Sequence, residues 1–400
     1  MTGASPGART GGRSLSALLL VTTPIRILLN TTFRMVYPFL PAFSRGLGVP
    51  VETLTLLLAL RSGLGLSAPL FGLVPDRFGR RFAMTAGLLL FTLSLALAAA
   101  FPSLITFVAA LFGVSLAKLL FDPALLAYLG DSTPYARRGL VMALSELGWS
   151  GATLVGIPLL GLLLAGGNWR APFLPLALLG GLAAFGLWRV IPAGSAPAPG
   201  RTRALFAGVA GLFRHPVLLG AMGMGLLISL ANEMLNVAYG LWMEGTFQLR
   251  IEALGASVIV IGLAELAGEG AVALLSDRLG KRRLVLLAGG LSALAYLLLP
   301  FIPGRLDLAL AGVFLAYFSF ETTIVGTLPL VSELHPEARG TLLSTNFLFM
   351  ALGRMAGATL GGALFSLGFA WVGGLAALLN GLMLVLLWRV VRERAEPAPG

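Results

Sequence analysis

Apolar and charged positions in this chain fall into long blocks instead of alternating residue by residue. Runs of about 20 mainly apolar residues recur, each long enough at helical rise to cross a bilayer. Punctuation at charges, prolines and glycine clusters predicts twelve such spans. They cover about 15–43, 51–74, 82–101, 104–130, 139–166 and 171–190, then 217–243, 253–275, 284–303, 307–332, 341–367 and 369–390. Between the sixth and seventh lies "IPAGSAPAPGRTRALFAGVAGLFRHP", a Pro/Gly-rich stretch at mid-chain that reads as a linker with a short surface helix. The expected organisation is therefore a first half over 1–191, a linker over 192–215 and a second half over 216–400.

Composition narrows the class further. Hydrophobic residues make up 57% of the 400 positions and charged residues 11%, against about 25% in ordinary soluble domains. With a mean hydropathy of +0.92, no water-soluble interior could hold the apolar surface, so an all-α integral membrane protein is expected. Cysteine is absent, which excludes disulfides, thiolate chemistry and Cys-based metal sites. The two histidines, His215 and His335, both fall in loops, so a His-rich metal centre is also excluded. Arg9 and Arg13 precede an apolar run too long for a cleaved signal, which makes that run the first span.

The net charge of +11 becomes informative once it is distributed over the loops. With the N-terminus inside, 19 of the 28 basic residues fall on the inner side; Arg45, Arg170, Arg250 and Arg305 fall outside. This asymmetry orients both termini toward the cytoplasm and explains the charge by topology and attraction to anionic lipid, without nucleic acid.

The chain also repeats. "DRFGRR" at 76–81 returns as "DRLGKRR" at 277–283, and "DSTPYARRG" at 131–139 returns as "SELHPEARG" at 332–340. Both pairs are offset by about half the chain, which implies two parallel six-helix repeats.

Gly72-x-x-x-Asp76-Arg77-x-Gly79-Arg80-Arg81, between spans two and three, resembles the loop motif of the major facilitator superfamily. A degenerate copy, Asp277-Arg278-x-Gly280-Lys281-Arg282, stands between spans eight and nine, and the resemblance extends over essentially the whole chain. It implies a membrane transporter working by alternating access, with a central cavity lined mainly by spans one, four, seven and ten. On this reading the loop motif is a cytoplasmic latch. Gly72 lets span two approach the opposite half, Asp76 faces a helix N-terminus and pairs with Arg80, and Asp131 completes the relay. Arg77, Gly79, Arg81 and Arg138 belong to the same latch, and Asp277, Lys281, Glu333 and Arg339 are the second-half counterparts.

An ionisable side chain within a span is costly and usually functional. Glu233 and Glu321 are the candidate proton or cation-binding carboxylates, Arg34 a counter-charge, and Asp122 with Lys118 a local pair. Asn236 and Tyr239, with Asn232 and Trp242, follow on span seven as candidate substrate contacts. Arg61, Glu146, Glu265, Glu269 and Arg354 fall in spans two, five, eight and eleven, which the resemblance places at the interface between halves, and gating or structural pairing is expected of them.

Glycine motifs at 63–68 and 357–362 mimic a nucleotide fingerprint, but inside spans such small residues permit helix contact instead. Nucleotide and hydrolase motifs are absent, so no enzyme activity, metal or cofactor is expected, and coupling falls to an ion gradient, chiefly protons. The expected activity is proton-coupled export of small amphipathic molecules by a monomer in the cytoplasmic (inner) membrane, with lipids as neighbours. Uptake of an organic ion or metabolite, or lipid translocation by the same fold, are the alternatives. Subfamily signatures leave the choice open. Span four lacks, in its outer half, the arginine that drug exporters carry, its one cation being Lys118 a turn before Asp122, and Gly156, Pro158 and Gly161 only approximate the antiporter motif.

Overall fold

The computed structural model describes residues 15–71, 73–133, 138–192, 216–302, 304–334 and 339–390, and every regular element among them is helical. Gly72, Arg137, most of the 192–215 linker and both terminal segments lie outside the described residues, as does the side chain of Asp76. Among the described residues, ten helices are long and apolar enough to cross a membrane unaided. The first two expected spans are present but broken, which is where the structure departs from the continuous spans of the sequence reading.

The first span consists of α1 (Leu15–Arg34) and α2 (Leu40–Leu47), interrupted at 35–39. Pro38 and Pro41 explain the interruption, because each lacks the N–H that would continue the helical ladder. Span two is α3 (Val51–Gly63), a 3₁₀ turn Leu64–Ser67, then α4 (Ala68–Phe71) and α5 (Leu73–Phe78). Its tight middle contains Gly63 and Gly65, which face Met355 and Ala351 of the other half. The remaining first-half helices are α6 (Arg80–Ala100), α7 (Leu104–Ser132), α8 (Arg138–Gly151), α9 (Ile157–Leu164) and α10 (Phe173–Val190). A π-helical turn at Ala152–Gly156 joins α8 to α9.

The second half comprises α11 (Pro216–Phe247), α12 (Ile251–Ser257), α13 (Ile259–Leu279), α14 (Lys281–Leu298), α15 (Leu306–Glu333), α16 (Arg339–Leu367) and α17 (Phe369–Val390). Packing within each half is extensive: α6 with α7 and α10, α1 with α8, α11 with α16 and α17, and α14 with α15 and α17. Gly353, Gly357 and Gly361 recur every four residues along α16, so they share one face. A Cβ on any of them would come within 2.8 Å of the α11 backbone or the Glu233 side chain. The small-residue stripe thus brings two backbones together where water-driven association is absent.

The repeat is visible in backbone geometry too. Gly79 and Gly280 occupy corresponding turns with φ of 87° and 82°, a conformation L side chains rarely adopt.

The two halves meet mainly toward the end opposite the 76–81 loop. There α9 packs on α12, with an added Cβ on Gly161 only 3.1 Å from Cα of Gly255. A Cβ on Gly240 would lie 2.2 Å from the Pro38 carbonyl, and one on Gly362 2.6 Å from the Thr55 hydroxyl. An ion pair, Arg45 to Glu244 at 2.8 Å, closes the same end.

Candidate functional site

The functional side chains start from spacing on one helix. Arg26, Asn30 and Arg34 are four apart on α1 and form a single stripe, while Phe33 lies beside it and Tyr37 follows in the break after α1. Glycines of α8 let the first stripe come close, since a Cβ on Gly148 would meet Arg26 at 2.5 Å.

Arg34 ends α1 where the helix breaks. Its guanidinium grips Glu265 of α13 with two hydrogen bonds, 3.0 and 2.7 Å long, across the boundary between halves. Both side chains are nearly out of solvent, at 11% and 4% exposure. Trp149 Nε1 donates to the same carboxylate at 3.3 Å and the Thr153 hydroxyl at 3.4 Å, while Arg34 lies 4.5 Å over the Trp149 ring. Four residues from four helical segments thus fix one ion pair. Fork-to-fork geometry of this kind resists substitution by lysine.

A second chain of contacts crosses the boundary beside the α1 stripe. Arg61, 2% exposed, donates to the Phe33 carbonyl and the Tyr37 hydroxyl, both at 2.8 Å, and stacks 4.1 Å over the Phe33 ring. Tyr37 in turn donates to Glu233 at 2.6 Å. The amide of Asn236 donates to the second Glu233 oxygen at 3.2 Å, and the Tyr317 hydroxyl donates to Asn236 Oδ1 at 2.6 Å. Residues of spans one, two, seven and ten are linked in sequence.

Within the first half, the Lys118 ammonium lies 2.7 Å from Asp122 and also donates to Asn30. Arg26 donates to the Ser145 carbonyl and hydroxyl and to Glu146 Oε1 at 2.9 Å, and its Nε lies 3.8 Å from Asp122.

Glu321 differs from all of these. It is 9% exposed, and among the described residues no hydrogen bond or ion pair satisfies its carboxylate. Its Cβ abuts Gly268 of α13, and Glu146, Glu265, Glu269 and Arg34 form its electrostatic surroundings. Glu269, partly buried one turn from Glu265, likewise has no such partner among the described residues. Around Glu321 one cation, Arg34, stands against three acids, Glu146, Glu265 and Glu269, so its surroundings are acidic on balance.

The structure revises several assignments. Arg34 supplies its counter-charge to Glu265 rather than to the candidate carboxylates Glu233 and Glu321, so Glu265 makes its pair across the boundary between halves. Glu146 pairs with Arg26, and Arg61 binds Phe33 and Tyr37, so both make structural contacts inside their own half. Tyr239 is a packing residue. It is 2% exposed, and its hydroxyl shares a 2.7 Å hydrogen bond with Ser257. Asn232 accepts from Tyr296 at 3.2 Å and Trp242 stacks on Phe369 with centroids 4.5 Å apart, both within the second half. Arg354 is partly buried with no ion pair among the described residues.

At the loop end, Arg80 pairs with Asp131 and donates to the Ala127 carbonyl at 2.9 Å. Lys281 pairs with Glu333 at the corresponding place in the second half. Arg77, Asp277 and Arg278 are exposed, while the side chains of Asp76, Arg138 and Arg339 and all of Gly72 lie outside the described residues.

Sequence reasoning passed over Tyr37, Asn30, Trp149, Thr153 and Tyr317. Asn30 had a signal, standing midway between two buried arginines at helical spacing, and Tyr37 had another, preceding a proline inside a span. Trp149, Thr153 and Tyr317 had none, because apolar spans are full of such residues.

A family model described as Major Facilitator Superfamily matches residues 23–231 and 221–400. A chloramphenicol resistance protein of Streptomyces lividans is 27% identical over 387 residues, covering 92% of this chain and 95% of the relative. The inner membrane transport protein YdhP of Escherichia coli is 26% identical over 368 residues, covering 89% of this chain and 91% of the relative. Among solved structures, a bacterial homologue of the human lysosomal transporter Spinster, inward-facing and occupied, superposes with a TM-score of 0.75 at 13% identity, covering 95% of this chain and 97% of that one. A D-xylose–proton symporter gives 0.73 at 17% identity, covering 95% of this chain and 99% of that one, so the fold is shared beyond recognisable sequence. With matches spanning both halves, the chain is a multi-pass membrane transporter that belongs to the major facilitator superfamily.

Proposed function

We propose that this transporter exports small amphipathic compounds across the cytoplasmic membrane in exchange for protons, working as a monomer without a cofactor and with both termini in the cytoplasm. The observation carrying this reading is Glu321: a buried carboxylate with no partner among the described residues, beside an excess of acidic groups. Holding an unpaired charge where little water reaches it is unfavourable. A proton on Glu321 removes that cost, and so does a cationic or strongly polar group of a substrate docked against it. The two relieve the same penalty, so they compete for one carboxylate, and competition of this kind couples opposite fluxes. Export is favoured by the kinship with a chloramphenicol resistance protein over nearly the full length of both chains.

The inter-half contacts supply the conformational side. Arg34–Glu265 and Tyr37–Glu233 both link the first span, at its break, to the second half. Rocking of the halves about this centre exchanges these bonds for others, and the break between α1 and α2 provides a joint that bends without unfolding a helix.

The test is transport in proteoliposomes with an imposed pH gradient, read by an internal pH dye during addition of a panel of lipophilic drugs. Wild-type protein collapses the gradient only with a transported compound, and Glu321→Gln abolishes this coupling and weakens binding of compounds whose cationic group docks against the carboxylate. Gradient-independent transport by both proteins rules the proposal out.

A further inference from the structure

A third repeated motif appears where each half ends. "LWRV" at 187–190 returns as "LWRV" at 387–390, the final turns of α10 and α17. Each abuts the start of a loop-motif helix. The Arg81 guanidinium lies 3.7 Å from the ring centroid of Trp188. The Arg282 guanidinium, 201 residues later, donates to the Trp388 carbonyl at 3.0 Å. Both tryptophans face outward, at 48% and 66% exposure.

Neighbouring basic residues have other work. Arg80 and Lys281 turn toward the bundle to pair with Asp131 and Glu333, so Arg81 and Arg282 are the positions that meet the tryptophans on the outer edge. Nε of Arg81 is buried and has no hydrogen-bond partner among the described residues. Above each position a helix N-terminus is left without a side-chain cap, because Gly79 and Gly280 occupy the cap positions, and neither first turn contains an acidic residue. The exposed Phe78 and Phe82 continue the first edge with rings 5.5 Å apart. Arg189 and the exposed Arg389 follow the two tryptophans directly.

Each edge therefore combines an arginine, uncapped backbone N–H groups and an outward tryptophan at one end of the membrane-spanning bundle. The aromatic ring suits the headgroup region of a bilayer. Guanidinium and helix N-terminus suit a phosphate. We propose that the protein carries two repeat-related sites for anionic phospholipid headgroups, one at Arg81/Trp188 and one at Arg282/Trp388. The acyl chains lie along the exposed apolar faces of α6 with α10 and of α14 with α17. The lipid tethers the first turn of the helix that follows each loop motif, so it acts on the segment whose neighbour, Arg80 or Lys281, holds an ion pair.

Native mass spectrometry of the full chain, after incubation with phosphatidylglycerol or phosphatidylcholine of identical chains, tests this. Two phosphatidylglycerol molecules are expected to survive collisional activation, and phosphatidylcholine none. Arg81→Gln and Arg282→Gln should each weaken one site about fivefold, the effect of about 1 kcal/mol per basic residue near an anionic surface, and so lower the share of protein carrying two lipids. The double variant should lose retention at both sites by the same factor. Inorganic phosphate at millimolar concentration should not displace the lipid, because a free anion lacks the acyl anchor. Equal retention of both lipids, displacement by phosphate, or unaltered retention by the double variant overturns the proposal. If a glutamine variant fails to fold, Trp188→Leu with Trp388→Leu decides, since both rings are exposed and their loss must also cut retention.

Discussion

Gly240 on α11 lies against the break in the first span, and this contact gives a prediction about conformation that is independent of substrate. A Cβ at Gly240 would stand 2.2 Å from the Pro38 carbonyl oxygen and 2.7 Å from that of Tyr37. Both obstacles are backbone, so neither can rotate away, and the two segments must separate by about 1 Å to restore normal contact. Overpacking of this kind costs about 1–3 kcal/mol. The contact joins the two halves at their closed end, so the cost falls only on the state in which that end is sealed. Replacing glycine by alanine also favours the helix by up to about 1 kcal/mol, but that gain is common to both states and drops out of their ratio. A net cost of about 2 kcal/mol shifts the ratio about thirtyfold toward the state opened at this end. The natural absence of cysteine makes the assay clean. Spin labels at Phe101→Cys and Gly304→Cys, in loops of opposite halves at that end, report the separation by double electron–electron resonance. Gly304 has open space around it and tolerates a label. Gly240→Ala should move the distance distribution toward longer values. A distribution identical to that of the parent would refute the assignment of this contact as the seal.

Arg34→Gln leaves Glu265 buried without its partner and should lower stability by about 3–5 kcal/mol, measured by thermal unfolding in detergent; Arg34→Met with Glu265→Leu should recover most of it while abolishing transport. Tyr37→Phe removes the donor to Glu233 and the acceptor for Arg61, with an expected loss of about 1–3 kcal/mol in the same assay and no change in the Arg34 pair. Asp131→Asn breaks an ion pair whose carboxylate is 68% exposed, so stability should change by less than about 1 kcal/mol while the transport rate falls. Equal losses of stability and rate would mark that pair as structural rather than as part of a latch.

Several features could be read directly from the chain. Apolar blocks of bilayer length, the loop motif and its copy, and the offset near 201 define the class and the family, because bilayer thickness and backbone satisfaction leave few options to such a sequence. The pair Lys118–Asp122 was legible as well, since residues four apart on a helix are neighbours by construction. Gly79 and Gly280 were legible as motif members, and their positive φ gives the reason glycine stands there.

Tertiary structure alone decided which charges meet. Arg34 and Glu265 are separated by 231 residues, and Tyr37 and Glu233 by 196. Spacing fixes the face a side chain occupies on its own helix but not the helix that lies opposite. That choice depends on the glycine contacts of α8, α11 and α16, which set how near the helices come and at what height. It depends equally on Pro38 and Pro41, which end α1 at Arg34 and leave Tyr37 free to turn toward the other half. For the same reason Glu321, which the sequence offered together with Glu233, became distinct from it only once Glu233 had acquired Tyr37 and Asn236 as partners.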